Sequence, residues 1–206
     1  MRLIIVRHAK TIENAAGILQ GNHEGMLSEE GKQQAEALAN YLKNEKVTAI
    51  YSSDKLRALD TLKPIHKHHP EAKFIVTEKL RERNHGEFQG QKINPRGRET
   101  EAEKKFADLH YVPKDGESWI QMYERASAFL KTVLKKHVGN HTVLLVTHGG
   151  VFRAITCLLM NQTAEHLFLV NVPNTAISIF EIENGVTTCL VDNSVSHLSS
   201  KSGIFK

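Results

Sequence analysis

The segment Arg2-Leu-Ile-Ile-Val-Arg7-His8 joins a short apolar run to two basic side chains. Apolar runs this short and rich in β-branched residues are typical of strands buried on both faces, as in the centre of a parallel sheet. The run ends abruptly at Arg7 and His8, and open α/β sheets bind ligands beyond the carboxyl ends of their strands. These two residues could equally mark only the point where the strand meets water, so the rest of the chain must separate the two interpretations.

The length and charge of the chain limit its class. At 206 residues it has the size of one domain, spanning 1–206, with room for a small insertion. The net charge is +4, but the basic residues are scattered and aromatic residues make up only 6% of the chain. A nucleic-acid-binding surface would need a basic stripe with stacking residues. A small phosphorylated metabolite therefore fits the charge better than nucleic acid.

Hydropathy and cysteine content indicate a cytoplasmic protein without a membrane partner. No apolar stretch reaches membrane-spanning length, and no signal pattern precedes the first strand. Cys157 and Cys189 lie in apolar contexts far apart in sequence, so we expect buried free thiols. The tail from Ser199 is expected to be mobile.

Strand and helix patterns alternate along the chain. Helices are predicted after Ser28, after Asp54, at 99–109, after Ser118 and after His148, and strands at 3–6, 49–52, 74–76, 142–146, 176–182 and 187–191. The Asn184-Gly185 pair predicts a tight antiparallel hairpin at one sheet edge. The fold class is therefore α/β with three layers: a mostly parallel central sheet, helices on both faces and an antiparallel edge strand. Residues 92–117 form a variable insertion, expected over the active site.

Polar residues follow four of the predicted strands. In a parallel sheet such exits share one edge, so their side chains can converge. Guanidinium groups match phosphate oxygens, and a neutral imidazole is both nucleophilic and the commonest general base. The helix opened by Gly149 and Gly150 could add backbone N–H groups to an anion site. The four exits are Arg7-His8, Ser52-Ser53 leading to Arg57, Arg81-Glu82 and Thr147-His148-Gly149.

In this combination the sequence resembles the histidine phosphatase superfamily, also called phosphoglycerate mutase-like, over residues 2–192. The resemblance rests on four segments in order, 3–14 (LIIVRHAKTIEN), 51–61 (YSSDKLRALDT), 80–90 (LRERNHGEFQG) and 146–150 (VTHGG). Each segment is weak evidence alone, but all four in order, each at a strand exit, are specific.

The resemblance implies a role for each core residue. His8 would attack phosphorus and become a transient phosphohistidine, while Arg7, Arg57 and His148 clamp the phosphoryl oxygens. Glu82 would protonate the leaving oxygen and later take a proton from water. No metal or cofactor is expected, because the arginines supply the positive charge.

Further residues are implied at the pocket edge. Asn14 would contact the phosphoryl group, and Gln20 and Gly21 would line the rim. Asn174 and Thr175 resemble the late pocket-edge segment of the family. An ordinary loop role is nearly as well supported for all of these residues.

The sequence departs from the family at Ala9, where a glycine usually follows the nucleophile. A glycine with positive φ would resist replacement, but a methyl group is small, so we expect only local adjustment. The loop at 23–27 also lacks the usual aspartate and proline, which affects the pocket wall rather than the chemistry.

The residues that follow the Glu82 segment indicate which branch of the family the sequence resembles. Ile93 stands where mutases carry a lysine, and no adjacent arginine pair follows. A phosphatase is therefore favoured, resembling broad-specificity and fructose-2,6-bisphosphatase-like members, as a monomer or homodimer. Lys92, Arg96 and Arg98 could hold a second anionic group or simply face solvent.

Three alternatives remain open from the sequence. They are a cofactor-dependent phosphoglycerate mutase, a non-catalytic phosphate-binding module, and a zinc site built from His66, His68, His69 and His85.

Overall fold

A computed structural model of the protein describes residues 1–94 and 97–198; the tail from Ser199 and Arg96 lie outside the described residues. Within the described ranges, one six-stranded sheet has the order β3-β2-β4-β1-β5-β6. Its strands are β1 (Arg2–Arg7), β2 (Ala49–Ser52), β3 (Lys73–Val76), β4 (Thr142–Thr147), β5 (Ile177–Glu183) and β6 (Val186–Ser194).

The strand pairing confirms a mostly parallel sheet. β1 pairs in parallel with β4, which pairs with β2, and β2 pairs with β3. The predicted antiparallel hairpin at the sheet edge is confirmed, because β5 runs antiparallel to β1 and pairs in turn with the edge strand β6. Asn184 and Gly185 both have positive φ (50° and 80°), as the tight hairpin turn requires.

The helices of the described chain begin close to the predicted caps. They are α1 (Ile12–Ala15), α2 (Glu29–Leu42), α3 (Leu56–His68), α4 (Glu101–Ala107), α5 (Trp119–Lys136) and α6 (Gly149–Leu159). The hydroxyls of Ser28 and Ser118 each accept from a backbone N–H of the first turn. The short helix α1 is not among the predicted helices; it forms because Thr11 and Asn14 close a capping box.

Two hydrophobic cores on opposite faces of the sheet establish the three layers. Leu3 and Ile5 of β1 pack with the apolar faces of α5 and α6. Ile4 and Val6 pack with those of α2 and α3. All four side chains are fully buried, which explains why the strand reads as a continuous apolar run rather than an alternating one.

Local packing explains why Ala9 is accommodated and why the two cysteines differ in burial. Ala9 does not have positive φ, and its methyl group packs against Leu27 and Ala35, so it fits without strain. Cys157 is buried as expected. The expectation was wrong for Cys189, which is exposed because β6 is the outer strand of the sheet.

The described helices include none that is long and apolar enough to cross a membrane.

The start of α2 is hydrogen-bonded to the backbone of Lys10, two residues after His8. The backbone N–H of Ser28 donates to the Lys10 carbonyl oxygen at 3.0 Å. Gly31 approaches the same carbonyl so closely that a Cβ atom on it would overlap the oxygen. A glycine is therefore required here by space.

We predict that Gly31→Ala lowers the free energy of unfolding by about 1–3 kcal/mol, because the added methyl group forces α2 away from the β1 exit. Urea denaturation measures the change, and Glu36→Ala, an exposed site on the same helix, is the control. Equal stability of the two variants would contradict the expected clash.

Candidate active site

A cavity of about 690 Å³ opens beyond the carboxyl ends of β1 and β4. The predicted site residues that line it are Arg7, His8, Asn14, Gln20, Gly21, Arg57, Glu82 and Gly149. His148 lies directly behind His8, with the two ring centroids 5.1 Å apart. The structure therefore brings together the residues that the four strand exits predicted.

The register of the parallel strands explains this convergence. Arg7 of β1 pairs with Thr147 of β4, and the backbone N–H of His8 donates to the Thr147 carbonyl oxygen at 2.9 Å. On the other side of β4, the N–H of Ser53 donates to the Val146 carbonyl oxygen at 3.0 Å. The three strands thus end at the same level of the sheet edge.

His8 is held as a neutral imidazole with a defined tautomer. Its Nδ1 donates to the carbonyl oxygen of Ala9 at 2.8 Å, which leaves Nε2 as the unprotonated, nucleophilic nitrogen. Burial lowers the pKa of His8 well below its ordinary value, and the positive charges of Arg57 and Arg7 lower it further. The ring is only 3% exposed.

His148 supports this arrangement from behind the cavity wall. Arg57 Nε donates to His148 Nδ1 at 3.2 Å, so Nε2 carries the proton and donates to Ser53 Oγ at 2.8 Å. Burial, followed by the charge of Arg57, lowers the pKa of His148 well below its ordinary value. Both nitrogens are engaged within the protein, so direct contact of His148 with a phosphoryl group stays a prediction.

The two predicted arginines are anchored by backbone carbonyl groups. Arg57 donates to the carbonyl oxygens of His23 at 2.7 Å and Gly21 at 2.6 Å. Arg7 donates to the carbonyl oxygen of Val172, while its Nε is buried without a partner. Burial lowers the pKa of Arg7 to about 10, so its guanidinium remains charged at neutral pH.

Glu82 is seated on the first turn of α6. The N–H of Gly150 donates to both of its carboxylate oxygens, at 3.1 and 2.9 Å, and the N–H of Arg83 donates to Oε1 at 2.9 Å. A helix N-terminus favours a negative charge in this place. A Cβ atom on Gly150 would overlap Glu82 Oε1, so these hydrogen bonds to Glu82 require a glycine at position 150.

The late segment at Asn174 fastens the nucleophile loop from the side. Its Nδ2 donates to the His8 carbonyl oxygen at 3.1 Å and to Asn14 Oδ1 at 3.0 Å. The backbone N–H of Thr175 donates to the same His8 carbonyl at 3.3 Å. These contacts orient His8 and Asn14 from outside the cavity wall. Gln20 is similarly tied to the side chain of Thr11.

Sequence reasoning missed part of the cavity wall. Arg153 lines it, and its Nε donates to the Gly149 carbonyl oxygen at 3.1 Å. The four-residue spacing on α6 was the signal that could have found it. Trp119 is not among the predicted site residues, yet it also lines the cavity. Of the cations in the insertion, Arg98 and Lys92 are both exposed, but only Arg98 of the two lines the cavity.

The histidines of the zinc alternative lie in separate surroundings. The His66 ring packs on Phe74, with centroids 5.4 Å apart. His85 lines the cavity and accepts at Nδ1 from Arg83 Nε at 3.1 Å. Across residues 1–94 and 97–198, no three His, Cys, Asp or Glu side chains are grouped so that they could hold a metal ion.

A neutral histidine, two arginines and a glutamate at the carboxyl edge of an α/β sheet are chemically suited to a phosphoryl group. Comparison with known sequences agrees, because residues 3–194 match the family model described as "Histidine phosphatase superfamily (branch 1)". The chain belongs to this superfamily, and the resemblance predicted from its motifs is confirmed.

Two similar sequences and one solved structure illustrate the relationship. A metal-independent phosphoserine phosphatase from Arabidopsis thaliana is 37% identical, covering 96% of this chain and 83% of that protein. A broad-specificity phosphatase from Saccharomyces cerevisiae is 30% identical, with coverages of 86% and 79%. The structure of a phosphoserine phosphatase from Entamoeba histolytica with 3-phosphoglyceric acid has a TM-score of 0.81 at 25% identity, with coverages of 96% and 98%.

We predict that the protein loses stability as the pH falls from about 7 to about 5. The folded state holds His8, His85 and His148 neutral, with pKa values well below the ordinary one, whereas the unfolded chain binds protons there. Urea denaturation at several pH values measures the slope. His148→Gln removes one of these groups and should reduce the slope, and a flat profile for the wild type would contradict the prediction.

Proposed function

We propose that the protein is a metal-independent phosphomonoesterase that hydrolyses small phosphorylated metabolites through a phosphohistidine on His8. The observation that carries the proposal is the unprotonated Nε2 of a buried, neutral His8 in a cavity walled by Arg7 and Arg57. The names of the two relatives described above support the same activity, since one is a metal-independent phosphoserine phosphatase and the other a broad-specificity phosphatase.

The proposed reaction has two displacements. In the first, the Nε2 lone pair of His8 forms a bond to phosphorus while the bond to the leaving oxygen breaks, and Glu82 gives its proton to that oxygen. In the second, the Glu82 carboxylate takes a proton from water, whose oxygen attacks phosphorus. The P–N bond breaks, inorganic phosphate leaves, and both side chains return to their starting forms.

The arginines supply the charge that this chemistry needs. Phosphoryl transfer depends mainly on positioning and on neutralising the phosphoryl oxygens. Arg7 and Arg57 are held rigidly by carbonyl groups, and the unpartnered Nε of Arg7 is available to an anion. We place Asn14 and the N–H of Gly149 as further phosphoryl contacts, with Gln20 and Gly21 at the rim.

The structure offers little support for a phosphoglycerate mutase or for a non-catalytic phosphate-binding module. Ile93, at the place of the mutase lysine, is packed into the hydrophobic core, so no cationic side chain points from it. A binding module without turnover would not need Glu82 held on α6 beside the phosphoryl site.

The proposal also covers substrate selection, cellular location and oligomeric state. Asn94, Arg98 and Phe106 of the insertion line the cavity, which supports a role of residues 92–117 in substrate selection. Phosphoserine and 3-phosphoglycerate are the first candidate substrates, because they appear in the names of relatives. A cytoplasmic location and a monomeric or homodimeric state stay predictions.

We predict that the wild type releases phosphate from p-nitrophenyl phosphate in excess chelator and that His8→Ala abolishes this release. The reason is that the variant has no atom to accept the phosphoryl group. Quenching the wild type during turnover with an alkaline denaturant should trap a phosphoryl group that is stable to base and labile to acid. Loss of wild-type activity with chelator would point to a metal-dependent reaction instead.

We also predict that Glu82→Gln lowers kcat by about 10²–10⁴ for alkyl phosphates, since their leaving oxygens need a proton. Gly150→Ala should mimic this loss because its methyl group displaces Glu82. Cys157→Ala is the comparison, since Cys157 is buried on the same helix and lies outside the cavity wall. An equal loss in Cys157→Ala would argue that Gly150→Ala disturbs α6 in general and does not act through Glu82.

A further inference from the structure

Among the described arginines outside the cavity wall, all but Arg83 are paired with carboxylates. Arg2, Arg81 and Arg125 each form an ion pair with a carboxylate; for example, Arg125 Nη2 lies 2.8 Å from Glu117 Oε2. Among the described residues, Arg7 and Arg98 lie within ion-pair distance of no carboxylate. Cations gathered in a cavity in this way favour an anionic ligand.

The charge of the wall exceeds what one phosphoryl group neutralises. The described lining residues include four arginines, Arg7, Arg57, Arg98 and Arg153, against one carboxylate, that of Glu82. Four positive charges and one negative charge leave a formal +3, or +4 when Glu82 carries the proton that it donates in the proposed reaction. A phosphoryl dianion balances two of these charges, so the wall matches a ligand with at least one further negative group.

Arg153 and Arg98 pack against aromatic rings of the cavity wall. Arg153 Cζ lies 5.4 Å from the centroid of the Trp119 ring, and Arg98 Cζ lies 5.6 Å from that of Phe168. The two rings meet edge to face with centroids 5.4 Å apart. We refer to Arg98, Arg153, Trp119 and Phe168 as the second cationic corner.

The second cationic corner lies on the side of the proposed acid. Arg153 donates to the carbonyl oxygen of Gly149, and the next residue, Gly150, holds Glu82. Because Glu82 protonates the leaving oxygen, the leaving part of a substrate extends towards this end of α6. Arg153 Nη1 also donates to the Leu167 carbonyl oxygen at 2.7 Å, which fixes the guanidinium before a ligand arrives.

We infer that the second cationic corner binds an anionic group, a carboxylate or a second phosphate, on the leaving part of the substrate. The inference rests on the proposed phosphatase function. It assigns to Arg153 and Arg98 the selection of substrates, separate from the chemistry at His8.

A matched pair of substrates tests this subsite. 3-Phosphoglycerate and glycerol 3-phosphate differ only in a carboxylate that is replaced by a hydroxymethyl group. The wild type should prefer the carboxylate. Arg153→Met and Arg98→Met, which keep much of the apolar stem, should each lower kcat/KM for 3-phosphoglycerate about ten- to hundredfold. Glycerol 3-phosphate and p-nitrophenyl phosphate should change less than about threefold, since they lack the second anion.

Controls separate the lost contact from general effects. Lys92→Met removes an exposed cation of the same insertion and should leave the preference unchanged. Arg153→Lys should restore part of the preference, because a charge without the planar fork still attracts an anion. Fructose 1,6-bisphosphate against fructose 6-phosphate distinguishes a second phosphate from a carboxylate as the preferred group.

The outcomes distinguish this inference from the proposed function. Equal wild-type turnover of both members of each pair, or equal losses on both in the arginine variants, would overturn the subsite while leaving the phosphatase intact. If the wild type hydrolyses none of these compounds, the proposed function fails. Calorimetric binding of 3-phosphoglycerate and glycerol 3-phosphate then still decides the subsite, and equal affinities would overturn it.

Discussion

The in-register parallel pairing of β1 with β4 is the constraint on which the site depends. Arg7 opposite Thr147 brings the two strands to the same level, so that His8 and His148 follow side by side. A shift of one residue would turn each buried side chain to the opposite face of the sheet. The two separate cores therefore fix the register, and the register in turn fixes the distance between the two imidazole rings.

Burial of positive charge then sets the chemical state of the site. Burial keeps the imidazole rings of His8 and His148 neutral, and the neighbouring guanidinium groups lower the pKa of both rings further. The carbonyl oxygens of Gly21, His23 and Val172 hold the two arginines without neutralising them. The protein thus retains both a free nucleophilic nitrogen and uncompensated positive charge, which together suit a phosphoryl group.

Much of this could be predicted from the sequence, and the failures have physical reasons. Strands, caps and the hairpin follow from local patterns, and the strand exits locate the site because parallel strands share an edge. Arg153 escaped notice because its place in the wall depends on how α6 packs against the sheet. Cys189 was misjudged because the sequence of β6 does not say which strand is outermost.

The sequence by itself determined the fold class, the chemical types gathered at the sheet edge and the family. Those depend on apolar periodicity and on short motifs, both of which are local. The tertiary structure decided the tautomers of His8 and His148, the seat of Glu82 on Gly150 and the placing of Arg153 beside Trp119. Each of these requires atoms from distant segments to meet within a few ångströms, and only the packed chain specifies such distances.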